Sequence, residues 1–74
     1  TYRFSARLEI DYLNEKYHFD LPKSDEYETL SGLLISQLEE IPKKNTEINI
    51  ADYNIVVDEV SETKIKAVSL SKTD

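Results

Sequence analysis

One stretch of this chain, Tyr27 through Pro42, leaves little structural freedom. Its apolar residues Tyr27, Leu30, Leu33, Leu34, Leu38 and Ile41 recur at steps of three and four, while Ser31, Ser36, Gln37 and Glu40 fall between them. That period gathers the apolar set on one stripe of an amphipathic helix and makes the stripe a core face. Asp25 with Glu28 three residues on has the spacing of an N-terminal capping pair, and Glu26 adds negative charge where the helix dipole stabilises it. The helix is therefore expected to start near Asp25. Pro42 has no amide to donate and disfavours helical backbone at Ile41, which sets the expected stop. The chain's only glycine, Gly32, lies inside this helix. A glycine there costs about 1 kcal/mol relative to alanine, so another backbone or a bulky side chain is expected to lie close, a packing use favoured over direct ligand contact.

The flanking segments read as strands and one short helix. From Tyr2 to Ile10 apolar and polar residues alternate, with Tyr2, Phe4, Ala6, Leu8 and Ile10 on one side, which predicts a half-buried first strand. Asp11 can cap a short helix to about Tyr17, with Leu13 and Tyr17 on one face. Phe19 and Leu21 anchor the connector, and Pro22 to Asp25 turn the chain into the main helix. Beyond the loop Lys43 to Thr46, Ile48 and Ile50 alternate with polar neighbours, and Tyr53 to Val60 is rich in β-branched residues. A turn at Ala51-Asp52 joins these two strands, and Ser61-Glu62-Thr63 leads into a last strand from Lys64 to about Leu70. The apolar phase slips in the last two strands, from Ile55 and Val57 to Val60 and from Ile65 to Val68 and Leu70. The slip predicts either a bulge or two partly covered faces. The expected fold is α+β in the order β-α-α-β-β-β, a mostly antiparallel sheet packed on two helices in two layers, with residues 1–74 as a single domain. The pattern leaves the strand order open.

The run Tyr27-x-Thr29-Leu30-Ser31-Gly32-Leu33-Leu34-Ile35, followed nine residues after Gly32 by Ile41-Pro42, resembles the core motif of the CorC/HlyC transporter-associated domain. Ile10 to Tyr17 followed by Phe19-Asp20-Leu21-Pro22 resembles the family's leader helix, and the three later strand segments resemble its closing strands, so the likeness covers residues 4 to 71. Thr29, Leu30, Gly32, Ile41 and Pro42 carry its most specific part. The sequence departs from the family where residues such as Ala6, Asn45 and Asp52 stand in place of common glycines. The resemblance implies part of an FAD-binding-domain-like fold. It also implies a C-terminal position after a membrane-embedded domain and a pair of CBS domains, on the cytoplasmic side of the membrane, in proteins associated with magnesium and cobalt efflux. Haemolysin labels attach to the same family. The assignment is staked on Leu30 through Ile41 forming a buried rod against a sheet, with Gly32 at the tightest crossing.

Composition narrows the function classes. Fifteen acidic residues against nine basic ones give a net charge of −6, which opposes attraction to nucleic-acid phosphates and anionic lipid headgroups. There is no cysteine, hence no disulfide, thiolate metal site or cysteine nucleophile. No apolar run reaches the ~18 residues that span a bilayer, and the first residues do not form a signal peptide. A membrane-bound parent would hold its membrane part outside this chain. The 39% of apolar residues exclude a disordered chain.

Candidate sites are few. His18 is the only histidine, so zinc sites and serine-histidine systems have little to build on, and a connector role is expected for it. Asp25, Glu26 and Glu28 have the oxygen chemistry for a hard cation, but capping accounts for them. Glu39 and Glu40 sit where the helix dipole disfavours them by about 0.3–1 kcal/mol each. Asp58, Glu59 and Glu62 form a second acidic group, in which strand alternation would separate Asp58 from Glu59. Solvated surface is favoured over metal binding for both groups. Gly-rich phosphate loops and nucleophile elbows are absent from the sequence. The five tyrosines could suggest an aromatic ligand pocket, but in a small core a buried ring with its hydroxyl satisfied is the commoner use.

The expected role is thus a non-catalytic regulatory domain without a cofactor or bound metal, docking on the CBS domains of its own chain or on a second copy as a homodimer. Edge strands support docking, with Lys64, Lys66 and Lys72 guarding the edge of the last strand. The alternative is a small-ligand sensor for an adenine nucleotide, a flavin-like ring or a divalent cation.

Overall fold

The computed structural model describes residues 1–73. Strands β1 (Tyr2–Ser5), β2 (Glu47–Ile50), β3 (Tyr53–Val60) and β4 (Ile65–Lys72) form one antiparallel sheet in the order β1-β4-β3-β2, with helices α1 (Ile10–Tyr17) and α2 (Leu30–Leu38) between the first two strands. Phe4, Ile48, Ile50, Tyr53, Ile55, Val57, Val68 and Leu70 of the sheet share one buried cluster with Ile10 and Leu13 of α1 and Leu30, Leu33 and Leu34 of α2. The α+β order and two-layer arrangement are those expected.

Several boundaries differ, each for a physical reason. The first strand stops at Ser5 rather than Ile10. The Ala6 amide still donates to the Lys66 carbonyl at 2.9 Å, but the carbonyls of Ala6 and Leu8 accept the amides of Ser31 and Leu30 at 2.9 and 3.1 Å, so from here the segment serves the start of α2. Helix α1 has Glu9, not Asp11, at its N-cap, and no side chain caps it. Helix α2 begins at Leu30, five residues beyond the expected start near Asp25, and the Asp25/Glu28 pair does not cap it. Residues 24–27 form a turn closed by a bridge between Ser24 and Tyr27, in which the Ser24 hydroxyl accepts the Glu26 amide.

Helix α2 also ends early, at Leu38, where Glu39 enters the left-handed region at φ 60° and donates its amide to the Ile35 carbonyl. The stripe consequently loses its last member: Ile41 is 36% exposed, whereas Pro42 is buried. The rod is buried over Leu30, Leu33 and Leu34 but is broken before the proline.

The phase slip is a pair of bulges. Val57 faces Val68, Glu59 faces Ala67 and Val60 faces Ile65, which leaves Asp58 unmatched on β3 and Lys66 unmatched on β4. Since β4 lies between β1 and β3, its lysines guard no edge; the free edges are β1 and β2.

Left-handed backbone falls on His18, Glu39, Asn45 and Ala51, none of them glycine. At Ala51, φ is 53° in the two-residue connection between Ile50 and Tyr53. A non-glycine residue there costs about 1–2 kcal/mol, while glycine raises the entropy of the unfolded chain. Ala51→Gly is therefore expected to raise stability by about 0.5–1 kcal/mol, and urea denaturation would show it as a higher midpoint at unchanged slope.

Candidate functional site

The residues singled out from the sequence separate into two places. Thr29, Leu30 and Gly32 lie together at the start of α2, while Ile41 and Pro42 lie past its other end. At the start, every free amide of the first turn has a partner: Leu30 on the Leu8 carbonyl, Ser31 on the Ala6 carbonyl, and Gly32 on the Thr29 hydroxyl at 3.1 Å. With its amides consumed by the protein, this helix start has none to offer an anion. Gly32 is packed against the loop before its own helix rather than against the sheet. A Cβ added there would lie 2.7 Å from Tyr27 Cβ. Thr29→Ala is expected to cost about 1 kcal/mol by orphaning the Gly32 amide, with Thr29→Ser close to wild type in the same denaturation experiment.

The carboxylates Asp25 and Glu28 line a groove with Glu9, Asp11 and Lys23, but Lys23 Nζ already pairs with Asp11 at 2.9 Å. Among the described residues, no three His, Asp or Glu side chains are grouped to hold a metal ion. His18 is exposed at the end of α1 and turns the chain there.

Four of the five tyrosines act as packing groups, while Tyr12 is exposed and accepts a hydrogen bond from Lys16. Tyr2 stacks on Phe4 with centroids 5.6 Å apart, Tyr17 and Phe19 complete the cluster, and Phe19 meets Tyr53 edge-on. The Tyr53 hydroxyl accepts the Asp20 amide at 2.9 Å, and the Tyr27 hydroxyl donates to the Pro22 carbonyl at 2.7 Å. Burial, and then the charge of Glu26, hold the Tyr27 phenol above its ordinary pKa.

What the sequence concealed lies on the face of the sheet away from the helices. The bulge at Asp58 undoes the separation expected between Asp58 and Glu59, because both carboxylates come within reach of Arg3: Nε to Asp58 at 3.5 Å and an Nη to Glu59 at 3.6 Å. The Ser69 hydroxyl donates to Asp58 at 2.6 Å. Across the sheet, Asn54 donates to Glu47 at 3.0 Å and to Asn49 at 3.2 Å. Asn14 was also invisible to pattern reading, yet it binds both the amide and the carbonyl of Leu21 and so fixes the connector. Only the polar position in a helix of a packed domain hinted at it. The outer face carries small and polar residues, Ser5, Asn54, Ala67, Ser69 and Ser71, with Val56 among them, and no other element of the described residues lies over it.

Comparison with known proteins agrees with this picture. The model of the transporter associated domain family, CorC_HlyC, matches residues 1–74. The UPF0053 inner membrane protein YfjD of Escherichia coli K12 is 33% identical over 58 residues, which is 78% of this chain but 13% of that protein. Among solved structures, a conserved protein of unknown function from Haemophilus influenzae Rd KW20 superposes with a TM-score of 0.88 at 28% identity, covering 95% of this chain and 85% of that one. A region named for association with the Mg2+ and Co2+ transporter CorC, from Neisseria meningitidis MC58, gives 0.87 at 21% identity over 96% and 86%. At that identity the second likeness is one of fold.

Proposed function

This chain belongs to the transporter associated domain family, CorC_HlyC, and from that membership we propose that it works as a non-catalytic regulatory domain of a membrane-anchored CBS-domain protein in magnesium or cobalt efflux. The observation that carries the reading is one of proportion. The whole chain is matched by the family model, yet it spans 13% of the length of its inner-membrane relative. A module of this size beside a much larger membrane protein acts by biasing the states of that protein. Its means is differential docking, on the cytoplasmic side, against the CBS pair or a second copy of itself. A surface without a pocket for chemistry, such as the open sheet face, suits that task.

The test compares the full-length parent with a form lacking these residues, in membranes, for Mg2+ and Co2+ efflux at matched protein level. The expected result is transport that persists but changes at least about fivefold, the low end of an allosteric coupling. Unchanged efflux would overturn the regulatory role. Calorimetric titration of the chain with Mg2+, Co2+ and ATP is expected to be silent, and a saturable heat would replace docking by ligand sensing.

A further inference from the structure

The two free edges of the sheet are not equivalent. On β1 the Ala6 amide donates inward to the Lys66 carbonyl, so alternation turns the backbone groups of Arg3 and Ser5 outward. The Ser5 carbonyl is already taken by the Leu8 amide at 3.2 Å, which cuts that edge short. On β2 the Val57 amide donates to the Thr46 carbonyl at 3.0 Å, so Thr46, Ile48 and Ile50 turn toward β3. The amides and carbonyls of Glu47 and Asn49 then point away from the sheet. Both residues are exposed, and no other strand of the described residues pairs with this edge. Proteins commonly blunt a free edge with lysine, proline or a bulge, and β2 has none of the three.

We propose that β2 is the contact between two copies of the chain, paired antiparallel about a two-fold axis at Ile48, which joins their four-stranded sheets into one. The backbone selects this register. Pairs that exchange hydrogen bonds must join outward-pointing residues, so the axis falls at Glu47, Ile48 or Asn49. An axis at Glu47 sets two carboxylates directly opposite each other, which destabilises a ladder. An axis at Asn49 needs Ala51 opposite Glu47, but Ala51 has already entered the turn at φ 53°. The axis at Ile48 puts Glu47 opposite Asn49 of the other copy, twice, and each pair exchanges two backbone bonds. The two Ile48 side chains, on the core side, meet in the closer position between them.

The ends of the strands identify a second copy as the occupant. In this register the Lys43-Lys44 turn of each copy lies beside the Ala51-Asp52 turn of the other. Lys43, Lys44 and Asp52 are exposed, and none makes an ion pair among the described residues. Each copy thus brings Glu47 and Asp52 against Lys43 and Lys44, a balanced set at the edge of a chain whose net charge is −6. One like-charge approach remains, between the two Glu47 residues, which lie diagonally across the axis at about 7–8 Å. Asp58 and Glu59 turn to Arg3 on β1, the opposite edge of the sheet. Any extended segment has backbone to pair with β2, but a second copy supplies the register and the complementary turns by symmetry.

This inference rests on the docking reading and names its surface and occupant. Its test reads assembly rather than transport, so either can fail without the other. The 74-residue chain, which carries its own buried core, is followed by sedimentation equilibrium and amide hydrogen exchange across a concentration series, with circular dichroism to confirm folding of each variant. A single strand pair falls in the weak class below about 1,200 Å², so the dimer is expected to form toward high concentration. The Glu47 and Asn49 amides should exchange more slowly as it does. Asn49→Pro removes an outward amide without touching the bonds to β3, and should abolish the dimer. Asn49→Glu sets a carboxylate opposite Glu47 at two places and should weaken the dimer about tenfold. Ser36→Glu, on the exposed side of α2, adds the same charge and should leave the dimer within about twofold. Glu47→Gln removes the diagonal repulsion and should tighten it. A monomer at every concentration, a dimer that survives Asn49→Pro, equal weakening by Asn49→Glu and Ser36→Glu, or open-ended assemblies from pairing of β1 with β2 would overturn the proposal.

Discussion

Leu34→Ala is expected to destabilise the chain by about 2–5 kcal/mol. Leu34 is fully buried, as are Leu30 and Leu33, and the three form the part of α2 that meets the sheet side of the core. Truncation removes the transfer energy of the lost carbons and leaves a cavity that a close-packed interior fills only partly. The effect is large in proportion. At about 0.05–0.15 kcal/mol per residue, a chain of this length has roughly 4–11 kcal/mol in all, and a small domain buries only about 60% of its unfolded surface. Urea denaturation should show the midpoint falling by roughly a fifth of its value or more, or a chain already unfolded in buffer. A loss below about 0.5 kcal/mol, the range of a surface change, would show that α2 is not the keystone of the core.

Gly32→Val is expected to cost about 3 kcal/mol, against the ordinary rule that replacing a helix glycine helps. The reason is local: an added Cβ would lie 2.7 Å from Tyr27 Cβ and 3.6 Å from Tyr27 Cα. Those are atoms at the base of the side chain, which cannot swing aside without moving backbone. That backbone is held in turn by the bridge between Ser24 and Tyr27 and by the bond from the Tyr27 hydroxyl to Pro22. Second-site variants discriminate the cause. Tyr27→Ala keeps its Cβ and should not relieve the Gly32→Val defect, whereas Tyr27→Gly should relieve part of it, a coupling that a double-mutant cycle reads directly. Equal rescue by both would place the strain on the Tyr27 ring instead.

Much of the fold was legible in one dimension. Alternation in Glu47–Ile50 and the run of β-branched residues in Tyr53–Val60 marked those strands with their boundaries, because side-chain period and branching are local properties. The phase slip at Val57 to Val60 left a bulge or two partly covered faces open, and the strand pairing shows the bulge. Helix ends were read less well. The Asp25/Glu28 spacing is a sound local signal, but α2 is capped instead by Thr29 and by the carbonyls of Ala6 and Leu8, partners more than twenty residues away. Ile41 kept the helical period while the backbone had already turned at Glu39, so period alone overran the end of the helix. The helix breaks before the proline and family membership nevertheless stands on the match over residues 1–74. An unbroken rod is therefore not what defines such a domain.

The sequence by itself determined which residues are apolar, at what period, and hence that two helices and four strands share one core; it also placed the glycine where close packing was needed. Those are properties of neighbours along the chain. Only the tertiary structure decided that β4 lies inside the sheet, that Tyr27 is what crowds Gly32, and that Glu47 and Arg3 end one cross-strand row. Each depends on which distant segments come together. That pairing is fixed by the combined burial of the whole core and by chain connectivity, for which no local pattern carries a signal.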